Sequence, residues 1–210
     1  MEIIHKYFEG LTKDQLNKLE RLHSLFIEWN EKINLISRKD TDHLFERHIL
    51  HSLSIAKFIR FNNEAEILDL GTGGGFPGLP LAILFPQVKF TLVDSIGKKI
   101  KVVNDLIDQL KITNACAFHR RVEEQSGHFD FVITRAVAQS SKLITWSNSK
   151  IKNEHSHEIP NGIIALKGGD LTNELEEVKW KNNKFPLSQF FDEPFFETKV
   201  LIHLQLPQNK

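Results

Sequence analysis

Over the first sixty residues, apolar side chains recur every three or four positions, which is the spacing of one face of an α-helix. Thr12 and Gln15 have the spacing of a capping box, which predicts the start of a long helix. The apolar face of this helix consists of Leu16, Leu19, Leu22, Leu25, Phe26, Trp29 and Ile33. A second helix is predicted from about His43 to Ile59. Two helices alone bury little surface, so we expect them to pack against a larger body.

From residue 63 onward, short apolar runs alternate with helical patterns. Strands are predicted over 66–70, 89–93, 115–119, 129–134 and 162–166, and helices over about 77–84, 98–110, 138–146 and 171–178. Ser95 is the expected N-cap of the second of these helices. Strands that alternate with helices indicate a parallel sheet with right-handed crossovers. The segments 189–196 and 199–206 predict an antiparallel hairpin at one edge.

The predicted fold is therefore an α/β doubly wound, Rossmann-like sheet over residues 63–210 with a helical N-terminal extension over residues 1–62. The chain has 210 residues, a formal net charge of zero and one cysteine. A neutral chain does not fit non-specific coating of nucleic acid, although basic residues predominate between residues 95 and 121. We expect Cys116 to lie in the core, because it falls inside a predicted strand. Neither a signal peptide nor a membrane span is expected, which favours the cytoplasm.

The first strand runs directly into the glycine-rich segment GTGGGFPG. Gly71, Gly73 and Gly75 lack a Cβ, so the backbone turns tightly and a ligand can approach closely. In such a sheet, ligands bind at the carboxyl ends of the strands. Asp94 ends the next strand, where a carboxylate accepts hydrogen bonds from ribose hydroxyls. Together these features predict a site for an adenosine-containing cofactor.

Asp69, just before the first glycine, bears on which cofactor is bound. Its carboxylate would repel a pyrophosphate but suits the sulfonium and ammonium groups of S-adenosyl-L-methionine, either directly or by orienting the loop. The loop also departs from the G-x-G-x-x-G pattern of NAD sites, since its third glycine comes one residue early. An NAD site and a glycine turn that binds nothing stay open as alternatives at this point.

Several segments resemble the bacterial family of small-subunit ribosomal RNA guanine-N7 methyltransferases (RsmG, or GidB). They are DLGTGGGFPGLPLAILFP, FTLVDSIGKKIKVV, RRVEE, FDFVITRAVA and IIALKGG, preceded by EKINLIS and ERHILHSL. The resemblance covers about residues 10–170. His51 stands where the family usually has aspartate, and the polar stretch 147–160 is longer than usual. The resemblance implies a class I methyltransferase fold and methylation of N7 of a guanine in the helix-18 loop of 16S rRNA, in the small ribosomal subunit or its precursor.

By this resemblance, a set of residues is expected to contact S-adenosyl-L-methionine. They are Gly71, Phe76, Asp94, Ser95, Ile96, Val122, Glu123 and Arg135, beside the Asp69, Gly73 and Gly75 already considered. Guanine N7 carries a free lone pair, so the transfer needs no general base, nucleophilic residue or metal. No catalytic residue is assigned on this basis, although Arg135 is a candidate for positioning the guanine.

Five further residues are candidates for contact with RNA. Arg47 and His48 either bind RNA or tie the helical extension to the sheet. Lys98 and Lys99 either bind phosphates or form a solvated helix face, and Lys167 either meets a phosphate or is a strand-end lysine. No metal site and no obligate protein partner are expected. Three rival functions remain: a methyltransferase for a small molecule or protein, an NAD-dependent oxidoreductase, and a non-catalytic nucleotide-binding module.

Overall fold

A computed structural model describes residues 1–207 and shows a single seven-stranded sheet. The strand order is β3-β2-β1-β4-β5-β7-β6, in which the first five are parallel and β7 runs antiparallel to both of its neighbours, β5 and β6. The strands are β1 Glu66–Leu70, β2 Lys89–Asp94, β3 Ala115–His119, β4 Phe131–Arg135, β5 Gly162–Gly168, β6 Asn182–Pro186 and β7 Lys199–Gln205. The chain leaves β1 toward one edge and continues from β4 toward the other. The carboxyl ends of β1 and β4 therefore flank the point where ligands bind in such sheets.

Helices cover the sheet and form the N-terminal extension. They are α1 Glu2–Tyr7, α2 Lys13–Ile33, α3 Arg38–Thr41, α4 His51–Leu53, α5 Ile55–Phe58, α6 Gly78–Leu84, α7 Gly97–Leu110, α8 Ser140–Ser147 and α9 Thr172–Glu176. A π-helix over Phe45–Leu50 precedes α4. No helix within residues 1–207 is both long and apolar enough to cross a bilayer.

The predicted fold class is confirmed, and the predicted parallel strands lie within a few residues of the observed ones. The capping box is present: the Gln15 amide donates to Thr12 Oγ1 and the Thr12 amide donates to Gln15 Oε1. The second long helix is interrupted, because its π-helical turn changes the register before α4. Ser95 is not an N-cap: α7 begins after Ile96, and no side chain caps it.

Two further expectations, the strand over residues 189–196 and the burial of Cys116, were wrong. Residues 189–196 do not form a strand; they lie between and within two 3₁₀ helices, and β6 is the strand that pairs with β7. Pro194 has no N–H to give a ladder, while the neighbouring Phe191 and Phe196 are buried in the core. Cys116 is exposed, because β3 is an edge strand whose outer side chains are only partly covered.

The N-terminal helices share one hydrophobic cluster with the sheet. Leu22 and Phe26 of α2 belong to the same cluster as Ile67 of β1 and Phe90 of β2. Polar contacts join the layers as well: the Trp29 indole donates to the Asp105 carboxylate of α7 over 2.7 Å. The opposite face of the sheet packs on a second cluster, to which α8 contributes. The division into an extension of residues 1–62 and a domain of residues 63–210 stays a prediction.

Candidate cofactor cleft

A cleft of about 520 Å³ opens at the carboxyl ends of β1, β2 and β4. Most of the predicted cofactor residues line it: Gly71, Gly73, Phe76, Asp94, Ser95, Ile96, Val122, Glu123 and Arg135. Asp69 and Gly75 do not line it. The Gly75 backbone instead packs directly on the Leu79 side chain, beneath the loop. The fold thus brings together residues that are spread over more than sixty positions of the sequence.

Asp69 orients the glycine loop from below. Its carboxylate is completely buried, and Oδ2 accepts hydrogen bonds from Thr72 Oγ1 at 2.6 Å and from the Gly78 amide at 2.8 Å. Burial raises the pKa of Asp69 to about 7, because removing the carboxylate from water disfavours its charge. Asp69 therefore joins the loop to the start of α6 and does not face the cleft. Of the two roles expected for it, orienting the loop is the one that this geometry supports.

Asp94 connects the two loops on either side of the cleft. Its Oδ2 accepts from the Gly73 amide at 2.9 Å, and its Oδ1 accepts from the Ile96 amide at 2.8 Å. Each carboxylate oxygen can accept more than one hydrogen bond, so Asp94 retains acceptor capacity toward the cleft.

The backbone of the glycine loop has no room for a side chain at Gly71. Gly71 has φ of +69°, and a Cβ there would lie 2.6 Å from Cγ2 of Val137. Val137 follows β4 and is 39% exposed at the cleft. The absence of a Cβ at Gly71 therefore lets the segment after β4 close down over the loop.

Arg135 links the cleft to the N-terminal extension. Its Nη1 donates to the Arg47 carbonyl at 3.2 Å, and its Nη2 lies 3.0 Å from Nδ1 of His48. Its guanidinium also lies 5.3 Å from the centre of the Phe76 ring. Arginine only donates, so His48 Nδ1 must accept and its proton is on Nε2. Burial, together with the charge of Arg135, lowers the pKa of His48 to about 3.

The RNA candidates separate into different environments. Lys99 lines the cleft, and Lys98 is exposed beside it. The Arg47 guanidinium forms an ion pair with Asp40 at 3.0 Å inside the extension. The Arg47 carbonyl and His48 Nδ1 contact Arg135 and thereby connect the extension to the sheet. The Lys167 side chain is only 9% exposed and is paired with Glu174. The Lys167 ammonium also donates to the Ala138 carbonyl at 2.7 Å.

Several residues that line the cleft are not among the cofactor residues predicted from the sequence. Phe26, Leu35 and Ile36 form a wall from the N-terminal extension, while Ala136, Val137, Trp146, Arg120 and Arg121 complete the other sides. The apolar members were indistinguishable from core residues in the sequence. The adjacent arginines of RRVEE were the one available signal, since two cations beside predicted adenine contacts stand out.

A buried lysine holds one side of the cleft. Lys150 is 7% exposed, and its ammonium donates to the carbonyls of Glu123 at 3.3 Å and Gln125 at 2.7 Å. Lys150 belongs to the polar stretch 147–160, which the sequence leaves without a role. Within residues 1–207, no cluster of three His, Cys, Asp or Glu side chains is arranged to hold a metal ion.

Comparison with known proteins points to one family. A family model described as GidB, rRNA small subunit methyltransferase G, matches residues 15–195. The ribosomal RNA small subunit methyltransferase G of Christiangramia forsetii is 50% identical over 206 residues, which cover 98% of this chain and 97% of that protein. The protein of the same name from Bacteroides thetaiotaomicron is 48% identical, covering 98% of this chain and 100% of that protein.

Solved structures support the fold alone, because their sequences are distant. A SAM-dependent methyltransferase from Aquifex aeolicus superposes with a TM-score of 0.60 at 11% identity, covering 82% of this chain and 100% of that one. A coclaurine N-methyltransferase bound to N-methylheliamine and SAH gives 0.54 at 11% identity, covering 78% and 53%. Both are similar to this chain in the class I methyltransferase architecture.

Proposed function

The chain belongs to the ribosomal RNA small subunit methyltransferase G family, and from that premise we propose that it methylates N7 of a guanine in the helix-18 loop of 16S rRNA. The methyl donor is S-adenosyl-L-methionine. The observation that carries the proposal is the cleft at the carboxyl ends of β1, β2 and β4, which unites the glycine loop, Asp94 and Arg135. An NAD-dependent oxidoreductase is set aside, since the family is one of methyltransferases.

The residues that line the cleft suit S-adenosyl-L-methionine. The loop at Gly71 and Gly73 presents bare backbone, because neither residue carries a Cβ. We assign the ribose hydroxyls to Asp94, whose carboxylate faces the cleft, and the adenine to Ile96, which is 40% exposed there, with Val122 and Glu123. When bound, the cofactor supplies an electrophilic methyl group.

The residues of the chain then have to place the guanine. Guanine N7 needs no proton removed, so the rate comes from positioning and from electrostatics. Arg135 suits the guanine O6 beside N7, because only two of its five N–H donor sites are used by described residues. Burial lowers the pKa of Arg135 to about 10, so it stays cationic at neutral pH. Val137 and Trp146 offer apolar surface on which a base can stack.

The shape of RNA limits the substrate. In A-form RNA the major groove, where N7 lies, is too narrow for side chains. The target guanine must therefore lie in a loop or leave its stack. We propose that the small ribosomal subunit or its precursor presents this loop in the cytoplasm, with no obligate protein partner and no membrane.

The test uses methyl-labelled S-adenosyl-L-methionine with small ribosomal subunits, and separately with naked rRNA, both from cells that lack the enzyme. Label at one guanine of the helix-18 loop, detected by chain cleavage at N7-methylguanine, is the expected result. No label in either RNA despite tight cofactor binding would overturn the proposed substrate and direct attention to a small-molecule or protein acceptor. Heat protection by NAD instead of S-adenosyl-L-methionine would overturn the cofactor.

A further inference from the structure

We propose that Lys167 and Glu174 are positioning residues, which hold the segment 136–139 in place as the wall of the cleft against which the target base is aligned. This inference rests on the proposed function, because that function makes the wall a binding surface for guanine. It assigns to Lys167 a role different from both alternatives that its place at the end of β5 left open, a phosphate contact and a strand-end lysine.

One carboxylate oxygen of Glu174 accepts three hydrogen bonds. Glu174 Oε1 accepts from the Lys167 ammonium, from the Ser140 amide at 2.7 Å and from Ser140 Oγ at 2.5 Å. The Lys167 ammonium donates in addition to the Ala138 carbonyl at 2.7 Å. The pair thereby joins the end of β5, the start of α8 and the segment between β4 and α8. The segment 136–139 is held at its carbonyl and at the helix that follows it.

The segment 136–139 includes one residue in an unfavourable backbone conformation. Ala136 has φ of +53°, a left-handed value that L-residues with a Cβ seldom adopt. Such a conformation persists only where the surroundings determine it. At the two ends of the segment, the Ala136 amide donates to the Leu166 carbonyl at 3.2 Å and the Gln139 carbonyl accepts from the Leu143 amide at 3.1 Å. The Lys167 ammonium holds the middle of the segment, at the Ala138 carbonyl.

The held segment also meets the cofactor loop. Val137 lies directly above Gly71, and its side chain is 39% exposed in the cleft. A shift of the segment would move an apolar surface at the place where base and methyl donor meet. Misplacement of about 1 Å at such a point can lower a rate by a factor of about 100.

A contribution to folding stability does not by itself explain the Lys167–Glu174 ion pair. The Lys167 and Glu174 side chains are only 9% and 18% exposed. The attraction between two buried charges about equals the hydration free energy that they lose on burial. A protein with an apolar pair of similar size at the same place is therefore often equally stable. The four contacts on Lys167 and Glu174 instead define where a strained segment sits.

The experiment compares the full-length wild type with Lys167→Met, Glu174→Gln and Lys167→Arg. Lys152→Met is the matched control, since Lys152 also pairs with two carboxylates, Glu66 at 2.8 Å and Asp130 at 3.1 Å, at the amino ends of β1 and β4. For each protein we would measure Tm, the Kd for S-adenosyl-L-methionine by calorimetry, kcat and KM for methylation of small subunits, and hydrogen exchange of the amides 136–139.

For Lys167→Met and Glu174→Gln, we expect kcat to fall by about tenfold or more, while the Kd for the cofactor changes by less than about threefold. Exchange of the amides 136–139 should become faster, Lys167→Arg should recover part of the activity, and Lys152→Met should keep wild-type kcat. Unchanged kcat would overturn the proposal. An equal loss in Lys152→Met, or a Kd that rises in step with the fall in kcat, would also overturn it, because either result indicates a structural role.

The experiment distinguishes failure of the proposed function from failure of the positioning role. If the wild type methylates no RNA, the proposed function fails, and hydrogen exchange still decides the positioning role. Wild-type exchange rates at 136–139 in Lys167→Met would then overturn the inference, and faster exchange confined to that segment would support it. Glu174→Gln preserves an acceptor for Ser140, so it provides the milder variant if Lys167→Met does not fold.

Discussion

Arg135 at the end of β4 donates a 3.0 Å hydrogen bond to Nδ1 of His48 in the N-terminal extension. The two residues are 87 positions apart in sequence. This bond makes the extension part of the cleft, since the Arg135 guanidinium also faces Phe76 of the glycine loop at 5.3 Å. Because His48 must be neutral to accept, the contact also makes stability depend on pH.

The first prediction concerns acid destabilisation. The pKa of His48 is about 3 when folded and about 6.5 when unfolded. Between these values the unfolded chain binds a proton that the folded chain does not, so stability falls as the pH decreases below about 6.5. At pH 5 this loss is about 2 kcal/mol, or about 4–8 °C in Tm for a chain of this size. Thermal unfolding of wild type and His48→Asn at pH 7 and pH 5 measures it.

Asn presents an acceptor oxygen near the position of Nδ1 but does not titrate, so His48→Asn should lose less Tm on acidification. Asp69 acts in the opposite direction, because its folded pKa of about 7 lies above its ordinary value and acidification favours the folded state. Asp69 is present in both proteins, so it cancels in the difference. Equal losses of Tm in the two proteins would show that His48 does not contribute.

The second prediction concerns the glycine loop. Gly73 has φ of +58°, and nothing lies within 4 Å of a Cβ built there. Gly73→Leu should therefore add a side chain to the cleft without a clash in the core, and should abolish binding of S-adenosyl-L-methionine while the fold persists. Gly10→Leu is the control, because Gly10 has φ of +83° and equally open surroundings outside the cleft. Calorimetric binding that survives in Gly73→Leu would contradict the assignment of the loop.

The third prediction concerns Lys150. Its ammonium holds the carbonyls of Glu123 and Gln125, so Lys150→Met should release the segment assigned to adenine. We expect the Kd for S-adenosyl-L-methionine to rise by about tenfold, the equivalent of losing about 1.4 kcal/mol of ordering contacts. Calorimetry measures this, and Lys152→Met, which alters a pair at the amino ends of the strands, should leave the Kd unchanged. A wild-type Kd in Lys150→Met would show that the segment is held without the lysine.

The fourth prediction concerns the basic rim of the cleft. Lys98→Glu with Lys99→Glu should weaken binding of rRNA and reduce the dependence of affinity on salt, because two phosphate contacts would be lost. Lys98 does not line the cleft, so Lys98→Glu alone should leave cofactor binding unchanged. The matched reversal at Lys179 and Lys181, which are exposed next to the opposite edge strand β6, should leave RNA affinity as in wild type. Filter binding over a range of salt concentrations measures the affinity for rRNA. If the Lys98/Lys99 variant and the wild type bind rRNA equally well, these lysines form only a solvated helix face.

The local pattern of residues along the chain determined the parallel sheet and the glycine loop of this protein. The alternation of apolar strands and amphipathic helices predicted the parallel sheet, and the carboxyl ends of β1 and β2 followed from it. The loop at Gly71 and the carboxylate of Asp94 were found in advance, because glycine conformation and strand ends depend on neighbouring residues in the chain. The capping box at Thr12 was recognisable for the same reason.

Contacts between distant segments were decided only by the tertiary structure. Nothing in the sequence places His48 on Arg135, Lys167 on Glu174 or Phe26 in the wall of the cleft. The polar segment NNKFP has low strand propensity, yet it pairs as β6 because an exposed edge needs only one partner strand. Such pairings depend on packing and burial across the whole molecule, whereas the strands and the glycine loop depend on interactions between near neighbours, which is why the sequence alone determined the latter.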